Sequence, residues 1–123
     1  MQVVVIGNGV AGEAACSAIR SRTKGIKITL ISEDSYPFYS PCILPKYISK
    51  EVKRSELFLK NFSDYEKEGI NLLLGHKVER IDPLHKLLFL SRQEVAYDKL
   101  IVATGSYPII PAIEGIQKKG VRV

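Results

Sequence analysis

The sequence predicts an α/β fold: a parallel sheet with helices on its faces, joined by a three-stranded antiparallel meander. Three observations carry this reading. Residues 3–6 and 100–103 are continuous apolar runs, the pattern of strands buried on both faces in a parallel sheet. A glycine-rich turn, Gly7-Asn8-Gly9-Val10-Ala11-Gly12, follows the first run and opens a helix-forming stretch. Between residues 77 and 97 the texture changes to short alternating runs broken by turn residues, which predicts antiparallel pairing.

Each element follows from its local chemistry. Val3-Val4-Val5-Ile6 is β-branched and leads straight into the turn. A helix is expected from Glu13 to about Arg22, with Ala14, Ala15, Ala18 and Ile19 as its inward stripe. Glu13 is read as decorating the first helical turn, where the helix dipole favours an acid, and Cys16 as packing. Gly25 stops the helix, and residues 26–31 form a second strand ending at Ser32-Glu33-Asp34, which completes a βαβ unit. Residues 35–45 hold Pro37, Pro41 and Pro45 and are irregular, because proline removes donors and restricts the residue before it. Residues 51–68 are expected to be mostly helical and to stop at Gly69; residues 70–74 form a third strand. The meander takes residues 78–81, 87–90 and 95–97, and a last strand at 100–103 closes at Thr104-Gly105-Ser106. The tail from Pro108 to Gly120 reads as an irregular linker.

Composition narrows the function classes. The 123 residues, 46% hydrophobic and 25% charged, are those of one ordinary globular domain. No apolar run approaches the 18–20 residues or so that span a bilayer, and Met1-Gln2 leave no room for a basic leader. A soluble, cytoplasmic protein with no membrane partner is expected. The net charge is +5, but the 18 basic residues are scattered and not interleaved with aromatics, so no nucleic-acid groove is predicted. Cys16 and Cys42 are too few for a disulfide framework and have no metal-ligand spacing with His76 or His85, so no metal is expected. Both histidines, and Lys46, read as surface residues.

The glycine turn carries the chemistry. Gly7 permits a tight turn off the strand, Gly9 lets a diphosphate approach bare backbone, and Gly12 lets helix and strand pack closely. The phosphates then meet unpaired N–H groups at the positive end of the helix dipole, and the cradle includes Val10 and Ala11. Glu33 stands about twenty residues further on, where a carboxylate accepts the ribose hydroxyls of an adenosine; Asp34 is the competing candidate. The pattern does not discriminate between NAD and FAD. Cys42 is a candidate nucleophile. Ser40 can cap a helical turn with Pro41 at its first position, which places Cys42 where a thiol is readily ionised. Pro45 interrupts such a helix one turn later, so the helix alternatively restarts there. A buried, unreactive Cys42 is the competing reading, and Tyr36, Phe38 and Tyr39 are read as packing for the loop.

The glycine pattern, Glu33, the helix before Gly69, the meander and the run 97–108 (Tyr-Asp-Lys-Leu-Ile-Val-Ala-Thr-Gly-Ser-Tyr-Pro) together resemble the FAD-binding part of the pyridine nucleotide–disulfide oxidoreductases. The resemblance implies a Rossmann-like FAD-binding domain over residues 1–110, with residues 111–123 a linker toward an NAD(P)H-binding domain. It also implies that Ala103, Thr104 and Gly105 pass near the cofactor and that Val78 offers backbone to the adenine. The run Cys42-Ile43-Leu44-Pro45-Lys46-Tyr47-Ile48 is similar to the segment bearing the single redox cysteine of NADH oxidases and coenzyme A-disulfide reductases, with Ile43 and Lys46 as departures. Cofactor-side residues implied are therefore Ser40, Pro41, Cys42 and Lys46 as well, with Cys42 catalytic. The implied activity is hydride transfer from NAD(P)H to FAD, then electrons to Cys42 and to a disulfide, peroxide or oxygen. The alternatives are a ferredoxin or rubredoxin reductase type with an inert Cys42, and a non-catalytic dinucleotide-binding subunit. Either way a homo-oligomer or a partner subunit supplying further domains is expected, with this chain alone inactive.

Overall fold

The computed structural model describes residues 1–121; residues 122 and 123, the end of the expected 111–123 linker, lie outside the described residues. Strand β1 (Gln2–Ile6) leads through the glycine turn to helix α1 (Val10–Arg22) and strand β2 (Lys27–Ser32). An irregular segment follows, with a 3₁₀ turn at Pro41–Ile43, the short helix α2 (Leu44–Ile48) and a second 3₁₀ turn at Arg54–Leu57. Helix α3 (Phe62–Lys67) and strand β3 (Ile70–Leu74) precede the meander β4 (Val78–Asp82), β5 (Leu87–Leu90) and β6 (Gln93–Ala96), and β7 (Lys99–Val102) closes the fold.

The expected fold class is the one observed. Strands β3, β2, β1 and β7 lie side by side in that order, all parallel, and β4, β5 and β6 form a separate antiparallel sheet. Because side chains alternate along a strand, β1 faces two cores. Val3 and Val5 pack with Ile28, Leu30 and Ile70, and with Cys16 of α1 and Tyr65 of α3. Val4 and Ile6 pack with Ile31 and with Leu88 and Leu90 of the meander. Helices therefore line one face of the parallel sheet and the meander covers the other.

Four local expectations are corrected. Helix α1 begins at Val10, and its buried residues are Gly12, Glu13 and Cys16; Ala14 and Ala18 are exposed. Alanine suits either face, so the alanine pattern misplaces the stripe. Glu13 is buried because Lys60 and Ser17 meet its carboxylate. Residues 51–68 do not form one helix. Residues 57–59 instead hydrogen-bond to the extended Phe38–Ser40 stretch: Ser40 N–H donates to the Leu57 carbonyl at 3.0 Å and Leu59 N–H to the Phe38 carbonyl at 2.9 Å, and long-range pairing overrides helix propensity. The last hairpin turns at Ser91 and Arg92, so β6 starts two residues earlier than the turn residues suggest. His76 is half-buried, its Nδ1–H donating to the Leu74 carbonyl at 2.7 Å.

Candidate functional site

The carboxyl ends of β1, β2 and β7 open onto one cleft of about 780 Å³, the place where parallel α/β sheets bind ligands. Gly7, Asn8 and Gly9 form its floor, Glu33 and Asp34 one side, Val102–Tyr107 another, and His76–Ile81 the meander wall. Backbone bonds fix this convergence. Gly7 N–H donates to the Ile31 carbonyl at 2.7 Å and Ala103 N–H to the Ile6 carbonyl at 2.8 Å.

The three glycines differ in what surrounds them. Gly7 has φ +107°, and a Cβ there would run into the Ala103 carbonyl. Gly12 abuts the Gly7 carbonyl closely enough that a Cβ would collide with it. Both glycines are required by the protein's own packing. Gly9 is different: it caps α1 in an extended conformation with φ −92°, and a Cβ there would meet nothing within 4 Å. The open space lies directly before the first N–H groups of α1, which have no intrahelical acceptors. A cradle of bare backbone at the positive end of a thirteen-residue helix fits a diphosphate.

The cleft brings together Gly7, Gly9, Glu33, Asp34, Val78, Ala103, Thr104 and Gly105. Glu33 is exposed, with its Oε1 3.4 Å from Lys77 Nζ. Gly105 has φ +73°, which suits the turn off β7. Val10 and Ala11 are exposed on the first turn of α1 and Gly12 is buried behind it; none of the three lines the cleft. Ser40, Pro41, Cys42 and Lys46 also lie outside the cleft lining. Ser40 makes no capping bond through its side chain, and Cys42 sits in a three-residue 3₁₀ turn. Helix α2 restarts at Leu44 with Pro45 in its first turn, where its missing N–H costs nothing. Cys42 thus precedes that helix, and its thiol is exposed. Cys16, in contrast, is fully buried, and burial above all, with the Glu13 carboxylate, pushes its thiol up to about 12.

Three cleft residues carry no strong local signal in the sequence. Lys77 and Arg80 add positive charge to the meander wall, and Arg80 lies 3.6 Å over the Phe89 ring. Their proximity to Val78 was the available pointer. Asn8 occupies a variable position of the glycine pattern, and its Oδ1 accepts from the Tyr65 hydroxyl, 57 residues away, at 3.0 Å. Beneath the turn, Lys60 bridges Glu13 and Glu68, 2.7 Å from the latter. Burial lowers the Lys60 pKa, but the bonds to the two carboxylates outweigh it and hold the ammonium above its usual value. Among the described residues no group of three or more His, Cys, Asp or Glu side chains is arranged to hold a metal, and no helix is long and apolar enough to cross a membrane.

Comparison with known proteins agrees with this fold. The NADH oxidase of Lactococcus lactis subsp. cremoris is 34% identical over 127 aligned positions, covering 98% of this chain and 28% of that protein. The NAD(P)H nitrite reductase of Bacillus subtilis is also 34% identical, covering 98% of this chain but 15% of its own length. The chain thus spans less than a third of either relative. Among solved structures, an NAD-dependent persulfide reductase from A. fulgidus superposes with a TM-score of 0.87 at 32% identity, over 98% of this chain and 24% of that one. A water-forming NADH oxidase from Lactobacillus brevis, bound to NADH, gives 0.83 at 28% identity, over 97% and 28%. The family model described as pyridine nucleotide-disulphide oxidoreductase matches residues 1–123, and the chain belongs to that family.

Proposed function

We propose that this chain is the FAD-binding portion of an NAD(P)H-dependent flavoprotein oxidoreductase of the NADH oxidase or coenzyme A-disulfide reductase type. The single observation that carries the reading is the open backbone cradle at Gly9, facing Glu33 and Asp34 across one cleft. The amides at the start of α1 hold the diphosphate, Glu33 or Asp34 accepts from the adenosine ribose, and the backbone at Val78 borders the adenine. Ala103, Thr104 and Gly105 line the continuation of the cleft toward the flavin end. A bound FAD supplies two-electron chemistry between a nicotinamide and an acceptor. Cys42 contributes an exposed thiol, which as thiolate attacks one sulfur of a disulfide, breaking its S–S bond and releasing the other half as a thiolate, to leave a mixed disulfide; a cysteine serving only as apolar packing has no need of that exposure. Residues 111–123 are read as the linker toward an NAD(P)H-binding domain.

The test is the absorption spectrum of the purified full-length protein together with identification of the nucleotide released on denaturation. A flavin spectrum with FAD in the extract is expected, and an extract holding only NAD or ADP contradicts the reading. Cys42→Ser is expected to abolish disulfide reduction while retaining FAD. Undiminished disulfide reduction removes Cys42 from the mechanism and favours a flavoprotein that reduces a small iron protein.

A further inference from the structure

Resting on the reading of the cleft as a dinucleotide site, we propose that Asn8 and Tyr65 form a positioning device coupling occupancy of the glycine turn to the segment that bears Cys42. Asn8 lies between Gly7 and Gly9 and lines the cleft. Its Nδ2 donates to the Tyr36 carbonyl at 3.3 Å, and its Oδ1 accepts from the Tyr65 hydroxyl at 3.0 Å. That hydroxyl in turn accepts from the Phe38 N–H at 3.0 Å. One side chain of the phosphate-binding turn therefore holds the segment at Tyr36 directly and at Phe38 through Tyr65. Phe38 also packs on the core and accepts from the Leu59 and Lys60 N–H groups, and the Tyr39–Phe58 bridge and the Ser40 N–H bond to Leu57 carry the segment on to Pro41 and Cys42.

Tyr65 is a fixed post. It is 1% exposed, its ring belongs to the core with Val3, Val5 and Ile70, and the Lys60 ammonium lies 5.3 Å from the ring centroid. Lys60 is itself held by Glu13 on α1 and Glu68 beyond α3. Asn8, in contrast, is only half-buried and sits on the turn that must present its amides to a diphosphate. A ligand that selects one arrangement of the turn therefore selects one arrangement of the Asn8 contacts and, through them, of residues 36–42. Coupling of this kind is reciprocal, so the same contacts raise affinity for the diphosphate.

ADP is the discriminating probe, since it fills the phosphate and ribose positions but has no flavin to cover Cys42. Iodoacetamide alkylation of Cys42 in the full-length protein is followed with and without saturating ADP, with Cys42→Ser as background; the fully buried Cys16 stays silent. ADP is expected to slow alkylation of the wild type by about fivefold. In Tyr65→Phe, which keeps the buried ring, and in Asn8→Ala, which leaves the core untouched, this ADP effect is expected to vanish. ADP affinity should fall about tenfold in each variant, and the double variant should bind no more weakly than the single ones. A merely structural role would lower the melting temperature and leave the ADP effect intact. An ADP effect that survives in both variants, or wild-type alkylation indifferent to bound ADP, overturns the proposal. Binding of ADP without binding of FAD contradicts the flavin reading and leaves the coupling standing.

Discussion

Residues 1–34 and residues 35–61 reach order by different means. In the first stretch β1 and β2 are buried almost throughout, and two of the three glycines of the turn are demanded by the backbone they touch. In the second there is no strand, one five-residue helix and two 3₁₀ turns. Tyr36, Ile48 and Leu59 stand exposed, and the segment is tied to the rest through the contacts of Asn8, Tyr65 and Lys60. On the proposed reading, the first region meets what all adenine dinucleotides share, and does so with backbone geometry. The second carries Cys42 and is held by Phe38 and Leu57 in the core and by the polar contacts of Asn8 and Tyr65.

The contrast breaks most sharply at Gly7. Gly7→Ala places a Cβ on a positive-φ residue against the Ala103 carbonyl, and the chain is expected to lose more than about 3 kcal/mol of stability, read by urea denaturation. Lys60→Met comes next. It leaves the Glu13 carboxylate buried without its cation, which costs about 3 kcal/mol; the additional replacement Glu13→Gln is expected to restore a good part of that loss.

The βαβ unit was legible because buried β-branched runs and a glycine turn are local signals. The rest was less so, for identifiable reasons. Ala14 and Ala18 suggested a stripe that Gly12, Glu13 and Cys16 occupy instead, since nothing near Glu13 in the chain announces Lys60. The break in residues 51–68 comes from pairing with Phe38–Ser40, and the Ser91-Arg92 turn lacks the usual glycine or proline. Of the residues singled out from the sequence, Gly7, Gly9, Glu33, Asp34, Val78 and residues 103–105 line the cleft, and Val10, Ala11 and Gly12 do not. The segment from Ser40 to Lys46 does not line it, and the Asn8–Tyr65 contact joins positions too distant for any local pattern to relate.

A smaller effect sharpens the comparison between the two cysteines. The folded thiol of Cys16 is raised to about 12, against 9.0 for an ordinary one, so between pH 9 and 12 the unfolded chain releases a proton that the folded chain keeps. Stability is intact below pH 9 and falls by about 1 kcal/mol per pH unit above it. Cys16→Ala is expected to flatten this fall in urea titrations across that range, although Lys60, also raised, adds a loss of the same sign above 10.5. A disulfide reagent should accordingly label Cys42 in the folded chain and Cys16 only after unfolding. The smallest expected change is at Glu33: Glu33→Gln weakens adenosine-end binding by about tenfold with no measurable change in stability, because the side chain is exposed and its pair with Lys77 lies at the surface.

The most direct test of a diphosphate resting on bare backbone is equilibrium titration of the full-length protein and its Gly9→Ala variant with FAD, with ADP as competitor. A Cβ at Gly9 meets no protein atom within 4 Å, so the variant should fold with stability within about 1 kcal/mol of the wild type. It should also lose FAD and ADP affinity together, by about a hundredfold, the space for the phosphates having been filled. Wild-type protein that binds FAD without competition from ADP, or a Gly9→Ala variant that binds both as tightly as the wild type, contradicts the account.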